Sequence, residues 1–248
     1  MRALVVLLGF AILSTSARAE GEHSQESASC VVLLHGLWRT SLSMKALQWR
    51  LEDIGYRVIN PTYPSLAHPV QELSVIAVEE GLAGCSALHL DRVHFVTHSL
   101  GGILVRQYLA RSEIPGLQRV VMLGPPNQGS QMADYADSLS LLEPFMPRAV
   151  AQLGTSEESV PRQLGRVSFP LGVIAGTANY LPFLPGQTEE PGDGTVAVSE
   201  TLVPGMTDFL ELPVSHSLMM WDDEVIEQVV FFLEHGVFQR QSPPFSAP

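Results

Sequence analysis

From residue 31 to residue 235 the chain alternates short apolar runs with longer stretches whose apolar positions recur at helical spacing. Residues 31–34 form a continuous apolar run, the kind of strand that is buried on both faces of a parallel sheet. Ser41 or Ser43 can cap a helix that runs to about residue 54 and stops at Gly55. Residues 57–60 read as a second strand. After a loop rich in Pro and Tyr, residues 70–82 read as a second helix. The run 90–97 leads into a helix over 100–111, followed by strands at 119–123, 171–175 and 209–212 and a closing helix over 223–235. Alternation of this kind predicts an α/β fold, with a mostly parallel central sheet covered by helices on both faces. Such sheets carry their sites at the carboxyl ends of the strands. Gly36, Ser99, Pro125, Asp193 and His216 all fall at that edge.

Ser99 is the sharpest of these positions. It sits in Thr97-His98-Ser99-Leu100-Gly101-Gly102, between an apolar run and a helical pattern. A serine on a tight strand-to-helix turn holds its hydroxyl away from the backbone, and Gly101 and Gly102 let the helix pass close to the strand. Acyl transfer also needs a base, an orienting acid and donors for the oxyanion. His216 follows the last apolar run, on a loop that can reach the turn, so it is the candidate base. His98 is a poor candidate, because adjacent residues on an elbow point in different directions. Asp193 lies between Gly192 and Gly194, which let a carboxylate turn inward toward the imidazole. Its rivals are Asp208, at the wrong end of the last strand, and Asp222, on or near the final helix. One oxyanion donor is the amide of Leu100, at the start of a helix. The second comes from the loop after the first strand, through Leu37 or Trp38.

Together, Leu33-Leu34-His35-Gly36, the elbow around Ser99, Pro126-Asn127-Gln128-Gly129-Ser130, Gly192-Asp193-Gly194-Thr195-Val196 and His216 resemble the α/β-hydrolase fold superfamily. The set is most similar to bacterial triacylglycerol-lipase-like and esterase proteins, and the resemblance spans residues 30–236. It implies Ser99 as nucleophile, Asp193 and His216 as its partners, the Leu37 and Leu100 amides as the oxyanion hole, and ester hydrolysis without a cofactor. Thr97 stands where the usual pattern has a glycine. Leu37-Trp38 stands where many lipases are glycine-rich, which leaves the substrate open.

Residues 127–168 are the longest insertion and are expected to roof the site as a small lid or cap, with Leu142 and Phe145 either lining an acyl pocket or fastening a cap helix to the body. Phe183, in a second apolar loop, and Trp38 are expected to join them. Two apolar loops beside a serine favour an acyl chain or aromatic ester over a sugar or a charged peptide. The Pro126–Ser130 turn reads as shaping the chain exit and capping the next helix rather than as catalytic.

Composition narrows the picture. The chain has 248 residues, 46% of them hydrophobic, enough for one sizeable domain over residues 20–248. Residues 1–19 read as a secretory signal: Met1-Arg2, a short apolar core, then Ala17-Arg18-Ala19 as a cleavage site. Their loss removes Arg2 and Arg18 and no acid, taking the formal charge from -12 to -14. So acidic a surface disfavours nucleic acid, and it disfavours anionic lipid by charge alone. The expected location is exported, periplasmic or secreted, with no membrane anchor. In that setting Cys30 and Cys85 are expected to pair, the alternative being two inert thiols. No Cys/His spacing suggests a metal site. The expected function is a serine carboxylester hydrolase acting on a small-molecule or lipid acyl ester. The alternatives are an acyltransferase or thioesterase with the same triad, or a non-catalytic binding protein on this fold.

Overall fold

The computed structural model describes residues 29–139, 146–180, 183 and 189–240. The expected signal segment, 1–19, lies outside them. The element order is β1 (Cys30–Leu34), α1 (Lys45–Asp53), β2 (Arg57–Ile59), α2 (Val70–Ala87), β3 (Val93–His98), α3 (Leu100–Leu109) and β4 (Leu117–Leu123). It continues with α4 (Gln131–Ser138), α5 (Val160–Gln163), β5 (Leu171–Gly176), α6 (Val198–Thr201), β6 (Asp208–Leu212) and α7 (Asp223–His235). The strands form one six-stranded sheet in the order β2-β1-β3-β4-β5-β6, with every pair parallel. From β1 the chain runs outward to β2 and then crosses back to β3, so its direction of travel reverses between β1 and β3. Beyond the carboxyl ends of such neighbours opens the crevice that parallel sheets use for ligands. This is the α/β architecture expected from the alternation.

The strand period of two divides the core. Val31, Leu33, Val96, Val121 and Ile174 face α1 and α7, while Val32, Leu34, Phe95, Val120 and Val173 face α2 and α3. Both faces are covered, which is why the strands read as unbroken apolar runs.

Two expectations about helices change. Ser41 and Ser43 do not cap α1; they lie in a 3-10 turn, Ser41–Met44, that precedes it. The Ser43 hydroxyl donates to the Thr40 carbonyl at 2.8 Å, and the Thr62 hydroxyl donates to Ser41 Oγ at 2.7 Å. Helix α2 runs to Ala87 rather than stopping near residue 82. Its small residues are required by the strands beneath: a Cβ on Gly81 would lie 2.4 Å from Val32 Cγ1, and one on Gly84 would lie 2.8 Å from Ile59 Cγ2. The same close approach brings Cys85, in the last turn of α2, to Cys30 at the start of β1. The two form a disulfide with a Cα separation of 5.8 Å.

Candidate active site

The elbow is a real strain point. Ser99 has φ 52° and ψ -120°, left-handed territory that a non-glycine residue enters only when its surroundings hold it there. The hold is visible. Ser99 N–H donates to the Leu123 carbonyl of β4 at 2.9 Å, and α3 starts one residue later. A Cβ on Gly101 would lie 2.5 Å from the Leu34 carbonyl oxygen, so glycine is what lets α3 pass β1. Thr97, which replaces the usual glycine, is buried in extended β3, where its hydroxyl donates to the Val121 carbonyl at 3.4 Å.

Asp193 and His216 meet beyond the ends of β5 and β6. His216 Nδ1 lies 2.7 Å from Asp193 Oδ2. A carboxylate only accepts, so Nδ1 carries a proton, and in the neutral ring that leaves the lone pair on Nε2. The other carboxylate oxygen, Oδ1, accepts the amides of Thr195 at 2.9 Å and Val196 at 2.8 Å. The Asp193 side chain is fully buried and that of His216 is 10% exposed. Two glycines clear the space: a Cβ on Gly124 would lie 2.9 Å from Asp193 Oδ2, and one on Gly176 would lie 2.7 Å from Asp193 Cβ. The rival acids are engaged elsewhere. Asp208 pairs with Arg240 at the opposite edge, and Asp222 caps α7 by accepting from Val225 N–H.

His98 has a role that its place beside the elbow did not announce. Its ring packs on that of His216 with centroids 4.6 Å apart, and its Nε2 lies 3.0 Å from the His216 carbonyl, so Nε2–H donates there. Burial, reinforced by the positive charge of neighbouring groups, pushes the His98 pKa well below the usual histidine range. It is therefore a neutral strut under the His216 loop.

Ser99 and His216 open into one cavity of about 470 Å³, together with Leu37, Trp38 and Leu100. As the first residue of α3, Leu100 has an amide with no carbonyl partner inside the helix. The insertion supplies the apolar wall: Met132, Ala133 and Ala136 from α4, then Val150 and Leu153. Trp38 lines the mouth, 58% exposed and held at φ 55°. Phe183 does not join it. That residue is 97% exposed and is not among the described lining residues. Leu142 and Phe145 lie outside the described residues.

Sequence reasoning missed the post that anchors this wall. Arg106, buried on α3, donates to Asn127 O and Oδ1, both at 3.0 Å, to Pro161 O at 3.1 Å and to Gly165 O at 2.8 Å. Burial lowers its pKa to about 10, still far above neutrality. Asn127 in turn donates to the Thr201 carbonyl at 2.8 Å, so the Pro126–Ser130 turn shapes the chain exit as expected. Its capping role differs. Ser130 precedes α4, but its hydroxyl donates to the Thr195 carbonyl at 3.0 Å. It is the buried Glu200 carboxylate that takes the first α4 amide, Gln131 N–H, at 2.8 Å, with Ala197 N–H also at 2.8 Å. Burial raises the Glu200 pKa against the lowering effect of those amides.

Among the described residues no group of three or more His, Cys, Asp or Glu side chains is placed to hold a metal ion, and no helix is long and apolar enough to cross a membrane. No curated protein matches the chain. Its fold is similar to that of a Bacillus licheniformis lipase in mature form, with 20% identity and a TM-score of 0.60 over 86% of this chain and 94% of that one. A thermophilic esterase from Thermogutta terrifontis is similar at 16% identity and a TM-score of 0.57, over 84% and 90% of the two chains. A metagenomic carboxyl esterase is similar at 18% identity and a TM-score of 0.60, over 77% of this chain and 65% of that one. A family model described as the alpha/beta hydrolase family matches residues 31–240. With its parallel sheet and its serine turn at the carboxyl edge, the chain belongs to the alpha/beta hydrolase family.

Proposed function

We propose that the protein is an exported serine carboxylester hydrolase that works through an acyl-enzyme. The observation that carries this reading is the 2.7 Å contact of His216 Nδ1 with buried Asp193, in a cavity that also holds the strained Ser99. His216 Nε2 takes the Ser99 hydroxyl proton as the oxygen attacks the ester carbonyl. The Leu37 and Leu100 amides receive the oxyanion, a donor pair worth about 3 kcal/mol of barrier for each member. The imidazolium, stabilised by Asp193, then gives its proton to the departing alcohol. Water repeats the sequence on the acyl-enzyme. The apolar wall of Met132, Ala136, Val150 and Leu153 suits an acyl chain. Export is supported by the Cys30–Cys85 disulfide, which persists in oxidising compartments, and by the charge and apolar pattern of residues 1–19.

The test is hydrolysis of a p-nitrophenyl ester series from acetyl to palmitoyl, by the chain from Glu20 and by its Ser99→Ala variant. Serine-dependent turnover is expected, and the preferred chain length separates a short-chain esterase from a lipase. No turnover above the variant, in folded protein with detergent present, would instead favour an acyltransferase or a binding protein.

A further inference from the structure

Among the described residues, Arg39 is the one Lys or Arg that lines the candidate site. It lines the cavity of Ser99 and His216, and also lines an adjoining groove of about 350 Å³ shared with Trp38, Leu42, Ser217 and Trp221. Its Nη2 donates to Ser217 Oγ at 2.8 Å, the residue next to His216. Arg39 takes part in none of the ion pairs among the described residues, and no carboxylate lines either space there. Among the described residues the half-buried Arg39 guanidinium has one side-chain partner, a neutral hydroxyl. A guanidinium has five donor N–H groups, and one hydroxyl leaves most of them unused.

The direction of the reaction says which half of a substrate meets it. In the proposed hydrolysis the departing alcohol takes its proton from His216, so it leaves on the His216 side of the ester. The acyl side is the apolar wall contributed by Met132, Ala133, Val150 and Leu153. From His216 the path outward runs past Ser217 and Arg39 into the groove. We infer that Arg39 is a specificity-determining residue that binds an anionic group, phosphate or carboxylate, on the alcohol half of the ester. The favoured substrate then has an apolar acyl chain and an alcohol bearing a negative charge. Trp38 and Trp221, 58% and 48% exposed, flank the groove as flat apolar walls for the atoms between ester and anion. This inference rests on the hydrolase reading above and adds the class of alcohol to it.

The experiment compares kcat/KM for matched esters of one acyl group. One pair is 1-butyrylglycerol 3-phosphate against 1-butyrylglycerol; the other is 4-butyryloxybenzoate against its methyl ester. The quantity read is the ratio of anionic to neutral substrate, in wild type, Arg39→Gln and Arg39→Lys. Gln keeps a donor for Ser217 but no charge, and Lys keeps the charge. Arg39→Gln is expected to lower the ratio about tenfold in at least one pair, mainly through KM, with Lys restoring part of it. High salt is expected to lower the wild-type ratio too. A ratio unchanged by Arg39→Gln in both pairs would overturn the inference, including the case in which both members lose activity equally because Arg39 only braces Ser217. Loss of all Ser99-dependent turnover on every ester would instead overturn the hydrolase reading itself.

Discussion

The two edges of the same sheet are held together by different groups. At the amino edge the covalent and ionic ties are ordinary stabilising ones: Cys30 bonded to Cys85, and Arg240 on Asp208. At the carboxyl edge stand more buried polar groups and two of the three non-glycine positive-φ residues among those described, the third being His89 before β3, where His94 is also buried. Asp193, His98 and His216 are all under 10% exposed, and Ser99, Trp38 and Gly124 all sit at positive φ. A fold selected for stability alone would not put a buried carboxylate and two buried imidazoles at the ends of its central strands. The contrast shows where the molecule spends stability and where it recovers it. Strain at one end is tolerable because the strands beneath it are pinned at the other.

This division predicts opposite responses to substitution. The largest effect is expected from Ser99→Ala, which should lower kcat by about 10⁶-fold in ester hydrolysis while leaving the melting temperature nearly unchanged, since alanine keeps the same strained φ. Asp193→Asn should lower kcat by about 10⁴-fold, because an amide there favours the wrong imidazole tautomer; steady-state kinetics beside a circular-dichroism melt separate that from unfolding. Next comes the amino edge. Replacing Cys30 and Cys85 by serine opens a 55-residue span and should cost about 4 kcal/mol in urea titration, with kcat in the folded fraction nearly preserved. If that pair of substitutions erased activity in protein that was still folded, the separation of the edges would fail.

Gly124→Ala sharpens the same line from the other side. Its Cβ would press on Asp193 Oδ2 at 2.9 Å and His216 Nδ1 at 3.1 Å, at a backbone angle that alanine resists. A loss of roughly 10- to 100-fold in kcat is expected, out of proportion to a modest drop in stability. The smallest effect belongs to Asp208. Burial raises its carboxyl pKa, but hydrogen bonds from Arg240 and from the Phe238 and Phe209 amides outweigh that and hold it below the usual range. A carboxylate with a depressed folded pKa stabilises the fold above its unfolded value, about 4, and loses that as pH falls through the folded value. Asp208→Asn should therefore be less stable than wild type at neutral pH, by under about 1 kcal/mol given the exposed Arg240, and the gap should close in strong acid.

The mostly parallel sheet and the placement of Ser99, Asp193 and His216 at its carboxyl edge were legible because each signal is local. An apolar run ends, and a chemically apt residue flanked by glycines or small residues follows. What was not legible depends on partners far apart in the chain. Arg106 holds residues from the Pro126–Ser130 turn and from α5, and His98 supports a carbonyl 118 positions away. Nothing near either residue marks the partner. Ser41 and Ser43 misled because a serine before an apolar pattern caps a helix only if the chain enters it directly, and a 3-10 turn intervenes. Phe183 is exposed because apolar character alone does not put a residue into a cavity. Trp38 was legible as a pocket residue, but its neighbour Arg39, now the candidate for reading the alcohol, drew no notice as one charge in a loop.

The proposed hydrolysis depends on Ser99 as its activated nucleophile. The direct measurement is intact mass and peptide mapping after exposure to diisopropyl fluorophosphate, which phosphorylates a serine activated by a base and an oxyanion site far faster than an ordinary hydroxyl. One adduct per chain is expected, on Ser99, absent in Ser99→Ala and formed far more slowly in His216→Gln. Folded protein that takes no adduct, or takes it on another residue at the same rate in Ser99→Ala, would contradict the account.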